Sequence, residues 1–274
     1  MKNSFAYIRK DNLKDITFLD ADIKDFYYKK HSHEEYAFGV INCGQIDFNC
    51  RDGYFHIPKG GIMQLNPGDP HEGSPSPETG YNYCMLYIPT HVMKSVMREY
   101  ACRSKMRDFH FQDNVSNNPL LRHHFIMLTC AMRNVESSDA AVDQAFVDFI
   151  QAVISIGQPS NIIRKFNSTC ALIKRAEEFI HDNFMNNISL DDVSSEVGLS
   201  KYHFMRIFKE HTGFTPYQYI INCKVNEIKK IIDCGEKLSQ KINAESFYDL
   251  SHLNKRFKEI YGVTPKFYQD SVTK

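Results

Sequence analysis

His31, His33 and Glu35 alternate near the front of this chain. On one extended strand, alternate side chains project from the same face. A further imidazole, His71, follows the turn-forming run Pro67-Gly68-Asp69-Pro70 and can approach from a neighbouring strand. Imidazole and carboxylate are donors suited to zinc, iron or nickel. The same groups can make a hydrogen-bonding pocket for an organic molecule, and His31 and His33 can simply cap a strand entrance. The expectation adopted is an organic pocket using His31, His33, Glu35, His71 and Tyr83, with no cofactor. His31, His33 and His71 are the donors if a metal is held instead.

A second set of side chains lies far along the chain. Lys201, Tyr202, His203, Arg206 and Lys209 fall outward on a helix whose inward positions are Phe204, Ile207 and Phe208. Leu250, Ser251, Asn254, Lys255 and Lys258 occupy comparable positions on a later helix, with Leu253 and Phe257 inward. Cationic and hydrogen-bonding groups on one helical face are the chemistry of base-edge and phosphate recognition in a major groove. Lys209 and Lys258, near the helix ends, are expected either on phosphates, which position a protein without specifying sequence, or as salt-bridge partners at the core edge.

The elements beneath these residues are duplicated. FKEHTGFTPYQY, residues 208–219, returns as FKEIYGVTPKFY, residues 257–268, at an offset of 49. In the first unit Ser189 is an N-cap with Asp192 three residues on, and Leu190, Val193 and Val197 form an apolar face. Gly198 stops that helix and Ser200 caps the next, the pattern of a helix-turn-helix. In the second unit Asp249 stands where Ser200 stood, and the preceding short helix falls within 239–245. Pro216 and Gly235 bracket a connector of about 18 residues, or roughly 27 Å of helix. Such a connector can hold two recognition helices in adjacent grooves, about 34 Å apart.

The residues Leu199-Ser200, Phe204, Arg206, Phe208-Lys209 and Gly213-Phe214-Thr215-Pro216 resemble the AraC/XylS family of bacterial transcription regulators. So do Phe247, Asp249, Ser251-His252, Phe257-Lys258, Gly262, Thr264-Pro265 and Tyr268, within a matching stretch of about residues 169–269. The second unit departs from the family at Ser246, where Gly is usual, at Leu253, where Phe is usual, and around Lys241-Ile242-Asn243-Ala244. The first recognition helix is therefore expected to give most of the base specificity.

The front half reads as short strands separated by turns: 36–42, a turn at Cys43-Gly44, 45–50, a hairpin at Asp52-Gly53, 54–57, 62–66 and 81–88. With His31-Ser32-His33, Gly44, Gly61, Pro67 to His71 and Gly80 to Tyr87, it resembles the cupin barrel found at the front of many such regulators. Helices follow over 90–100, 119–135 and 139–156, the last with Val142, Ala145, Phe146, Phe149, Val153 and Ile156 in a stripe, and one of these helices can supply a dimer seam. Gly157-Gln158-Pro159-Ser160 is the candidate linker, with a helix over 169–184 after it.

The composition fits two domains in 274 residues with formal charge zero. Residues 1–160 carry 16 Lys+Arg against 19 Asp+Glu, and 161–274 carry 17 against 14, so the rear half is mildly basic. Eight cysteines without a Cys-x-x-Cys pair argue against a zinc ribbon and for reduced thiols in cytosol. No stretch reaches membrane-spanning length, and no signal run, phosphate-cradling glycine loop or nucleophile elbow occurs.

The expectation is thus an α+β chain. A cupin-like effector-sensing and dimerisation domain with flanking helices occupies 1–160, and an all-α domain with two helix-turn-helix motifs occupies 161–274. It would be a cytoplasmic transcription activator that binds double-stranded DNA, answers to a small-molecule effector and engages RNA polymerase, with a homodimer as an option. The alternatives are a metal-dependent cupin enzyme with a helical appendage, or a regulator controlled by a partner protein.

Overall fold

The computed structural model describes residues 3–51, 53–76, 80–100, 109–156, 168–186, 188–236 and 250–272. The linker at 157–160, the short helix expected within 239–245, and Phe247 and Asp249 lie outside them. The chain divides into two compact units near residue 161.

In the first unit the described strands are β1 (Ser4–Ile8), β2 (Thr17–Ile23), β3 (Tyr28–His31), β4 (Tyr36–Cys50), β5 (Gly53–Pro58), β6 (Ile62–Leu65), β7 (His71–Pro75), β8 (Tyr81–Ile88) and the short β9 (Val115–Ser116). One path runs β1-β2-β8-β4-β6-β9, while β3 and β5 join through β7 and β4. All pairings are antiparallel.

β4 is the organising element, and it corrects the expected break at Cys43-Gly44. Instead of two strands it is one strand of 15 residues. Its first part pairs with β8 and β6. Its second part pairs with β5 and β7. A register irregularity between Ile41 and Cys43 bends the strand without ending it. Gly44 (φ 73°) makes this bend feasible, because a Cβ there would overlap the Gly80 carbonyl of the adjacent chain segment.

The strands have two unlike faces. Phe18, Phe38, Val40, Ile62, Cys84, Leu86 and Ile88 form a core with α1 (Thr90–Tyr100), α2 (Pro119–Arg133) and α3 (Asp139–Ile156). Val142, Phe146, Phe149 and Val153 of the expected stripe are buried there, and Ala145 and Ile156 pack at its margin. Asn118 caps α2 by accepting from the Leu120 and Leu121 amides. By alternation, Tyr81, Tyr83, Met85 and Tyr87 turn to the opposite face, into the barrel.

The second unit is helical: α4 (Ser168–Asn183), α5 (Leu190–Glu196), α6 (Lys201–Thr212), α7 (Pro216–Asp233), α8 (Leu250–Tyr261) and α9 (Pro265–Val272). Ile173, Ala176, Ile180, Val193, Val197, Phe204, Ile207, Phe208 and Cys223 make the core of its first half. The connector α7 has 18 residues, as expected, and opens with a capping box between Thr215 and Gln218. A polar tie joins its far half to the last helices, Tyr261 Oη donating to Asn226 Oδ1 at 2.8 Å, and within the connector itself Lys229 reaches Asp233 at 2.8 Å. No helix among the described residues is long and apolar enough to cross a membrane.

Candidate ligand pocket and nucleic-acid interface

The barrel brings three histidines together. His31 ends β3 and stands in register with His71, which begins β7. His33 follows two residues after the strand, and all three are buried. Ring centroids lie 4.2 Å apart for His31 and His71, 4.7 Å for His33 and His71, and 5.6 Å for His31 and His33. His31 Nδ1 lies 2.6 Å from the Lys29 carbonyl and His71 Nδ1 lies 2.9 Å from the Asp69 carbonyl. A carbonyl only accepts, so each Nδ1 carries the proton and each Nε2 keeps its lone pair.

Burial lowers both imidazoles in pKa. His71 falls to about 3, through desolvation and then the charge of His33. His31 is pushed well down by desolvation and then by His71. Both rings are therefore neutral near pH 7.

Glu35 does not join this group. β3 stops at His31, and the chain bends at Glu34 and Glu35 before β4 begins. The alternation that would have put Glu35 beside the imidazoles requires an uninterrupted strand. Glu35 is half-buried, outside the cluster.

Tyr83 faces the same interior. Its hydroxyl pairs with that of Tyr28 at 2.6 Å, its ring lies 5.3 Å from Tyr81, and Tyr87 lies 5.2 Å from His33. Tyr28 is 6.2 Å from His31, ring to ring. Burial raises the pKa of Tyr28, Tyr81 and Tyr83, and mutual repulsion with neighbouring phenols adds to it, so these phenols stay protonated donors. The Tyr81 hydroxyl is buried with no hydrogen-bond partner among the described residues. Tyr28, Tyr81 and Tyr87 were not among the expected site residues. The alternation Tyr81-x-Tyr83-x-Met85-x-Tyr87 was the available signal.

In the second unit, the capping box of Ser189 and Asp192 starts α5. Gly198 (φ 68°) turns the chain, and Ser200 accepts the His203 amide to start α6. Lys201, Tyr202, His203, Arg206 and Lys209 are all exposed. Arg206 pairs with Glu210 at 3.2 Å, and Lys201 pairs with Asp191 of α5. Both pairs are exposed, so releasing them toward another anion costs only about 0–1 kcal/mol each.

On α8, Ser251, Asn254, Lys255 and Lys258 are exposed, while Leu253 and Phe257 are buried. Leu250 is the first residue of that helix. His252 is half-buried and accepts from Arg256 at 3.3 Å. The 49-residue offset superposes two exposed stripes, Tyr202, Met205, Arg206, Lys209 and Ser251, Asn254, Lys255, Lys258. Met205 was missed, although the offset pairs it with Asn254.

A cysteine with a basic neighbour also emerges. Arg133 Nη2 lies 2.7 Å from Cys84 Sγ and 2.7 Å from Asp20. Burial nonetheless raises the Cys84 pKa, so this thiol is not activated.

A polar-lined barrel together with a helix-turn-helix body defines a ligand-responsive DNA-binding regulator. Residues 13–150 match the AraC-like ligand binding domain family, and residues 193–271 match a helix-turn-helix domain family. The chain belongs to the AraC family of transcription regulators.

It is 25% identical over 232 residues to the uncharacterized HTH-type transcriptional regulator YbfI of Bacillus subtilis (strain 168), covering 82% of this chain and 81% of that protein. It is 32% identical over 104 residues to the multiple antibiotic resistance protein MarA of Escherichia coli (strain K12), covering 38% of this chain and 82% of MarA. In fold it is similar to an apo single-substitution variant of ToxT from Vibrio cholerae strain SCE256, with a TM-score of 0.57 at 15% identity over 94% of this chain and 98% of that one. It is likewise similar to unsaturated fatty acid bound wild-type ToxT from the same strain, with a TM-score of 0.56 at 14% identity over 100% of this chain and 98% of that one.

Proposed function

We propose that this regulator is a cytoplasmic transcription activator that sets α6 and α8 into successive major grooves of one DNA duplex and engages RNA polymerase. The carrying observation is the pair of exposed stripes at matching positions on those helices. Arg206 and Asn254 read bases on this view, with Lys201, Tyr202, His203, Leu250, Ser251 and Lys255 around them, and Lys209 and Lys258 hold phosphates. Residues 161–274 form the DNA-binding half, and residues 1–160 the sensing and dimerisation half.

The effector is a small organic molecule in the barrel, met by His31, His33, His71 and Tyr83. The buried phenols and imidazoles on one sheet face, opposite an apolar face, support this reading. So does a related fold that is known with a fatty acid bound. The homodimer seam is α2, whose Leu120 (50%), Ile126 (41%) and Met127 (53%) are exposed while the α3 stripe is buried.

Selection of bound sites from random duplexes, at a stated salt concentration, tests the DNA reading. The expected consensus has two half-sites about 10 base pairs apart. No enrichment over scrambled competitor overturns it.

A further inference from the structure

We propose that His31, His33 and His71 hold one divalent transition-metal ion inside the barrel. The inference rests on the reading of that interior as the ligand site and names an inorganic component for it.

The three rings are placed by the β3–β7 pairing, with His31 and His71 in register across it. Each of these two spends Nδ1 on the carbonyl two residues before it, Lys29 or Asp69. That backbone contact fixes the ring and the tautomer and leaves Nε2 as the donor, the support commonly given to a metal-bound histidine. The repetition of this contact on two separate strands favours a built site over a polar lining.

The spacing fits as well. One ring nitrogen from each histidine lies within 4.8 Å of the other two. In a tetrahedral site with bonds of about 2.0–2.1 Å the donors stand about 3.3 Å apart. The rings thus need to close by roughly 1.5 Å at most, within the reach of small χ rotations. An all-nitrogen donor set suits zinc, nickel, copper or iron rather than magnesium or calcium.

Three protein donors leave a coordination position open. Polar lining beside the cluster includes Tyr87, 5.2 Å from His33 ring to ring, and the Tyr28–Tyr83 hydroxyl pair, and the buried Tyr81 hydroxyl next to that pair has no hydrogen-bond partner among the described residues. A molecule entering the barrel would meet the ion and these phenols together.

The test uses the full-length chain without a histidine tag, stripped with a chelator and titrated separately with Zn²⁺ and Co²⁺. One ion per chain should survive desalting, and Co²⁺ should give visible ligand-field bands of a low-coordinate nitrogen site. His71→Ala and His33→Ala should each weaken binding by at least about tenfold. His71→Asn repeats the measurement with a polar side chain if the alanine variant does not fold. Tyr83→Phe should retain the ion.

Failure of wild type to retain either ion at one equivalent, or equal retention in the folded histidine variants, overturns the proposal. The organic-ligand reading is scored separately, by thermal shifts of the metal-free chain against a panel of small organic acids and phenols. Shifts that disappear in Tyr83→Phe would uphold that reading even where no metal binds.

Discussion

Tyr268 donates its hydroxyl to Asp233 at 2.9 Å, tying the last helix to the end of the connector 35 residues earlier. Asp233 also takes the Lys229 ammonium at 2.8 Å, and that ammonium lies 5.8 Å from the centroid of the Tyr268 ring. Three side chains from α7 and α9 thus close one partly buried polar knot. Tyr268→Phe keeps the ring and removes the donor. It should cost about 1–3 kcal/mol of stability, read from the denaturant midpoint. Tyr268→Ala also empties a fully buried site and should cost about 3–5 kcal/mol.

Arg206 and Lys209 share an exposed helix face but should behave differently on DNA. Arg206→Ala should cost about 1–3 kcal/mol on the preferred site and relax preference at one or two positions. Lys209→Ala should weaken all duplexes alike and reduce the salt slope by about 1. Competition binding at several salt concentrations separates the two. Unchanged preference in Arg206→Ala would remove the first recognition helix from its assigned role.

Asp192 is held below its ordinary value of 3.8 by the Ser189 amide and then the Ser189 hydroxyl, both 2.7 Å from its Oδ2. A depressed carboxyl stabilises the fold above its unfolded value, and that contribution is lost as pH falls through the folded value. Ser189→Ala removes the hydroxyl donor. The Asp192 titration, followed by carboxyl NMR shift, should move up toward 3.8.

Gly44 and Gly68 both have positive φ, 73° and 81°, yet they should respond differently to alanine. At Gly68 nothing lies within 4 Å of an added Cβ, so only the strain of a left-handed residue remains, about 1–2 kcal/mol. At Gly44 the new atom strikes the Gly80 carbonyl, which is backbone next to a paired strand. Gly44→Ala should lower the unfolding temperature well beyond Gly68→Ala. Equal shifts would mean that the β4–β8 junction yields easily.

Charge on the exposed face of α2 tests the proposed seam. Leu120→Glu with Met127→Glu should shift sedimentation from dimer to monomer without changing the circular dichroism of the chain. A wild-type chain that sediments as a monomer at micromolar concentration would rule the seam out.

The helical half was legible because its punctuation is local. Ser189, Gly198, Ser200 and Pro216 each act on backbone within a few residues, and the expected caps fall at Ser189 and Ser200 as bonds within three residues. The barrel was legible in outline only. Cys43-Gly44 looked like a turn because a positive-φ glycine marks turns and bends alike, and only pairing with β8 distinguishes them. β1, β2, β7 and β9 were not picked out individually; β9 has only two residues, and β7 contains a Gly and ends at a Pro, which both weaken a strand signal. Spacing suggested His31 with His33, but the place of His71 depends on pairing between strands 40 residues apart, which no local pattern carries. The inclusion of Glu35 assumed a strand longer than the one that forms.

β4 carries Phe38, whose ring lies 5.0 Å from Phe149 of α3, and also Cys50, which pairs with His71. Both belong to one hydrogen-bonded beam that serves as floor for the histidines and as wall for the helical layer. A load on the His71 strand therefore passes by backbone hydrogen bonds to the same strand on which Phe149 of the helical layer rests.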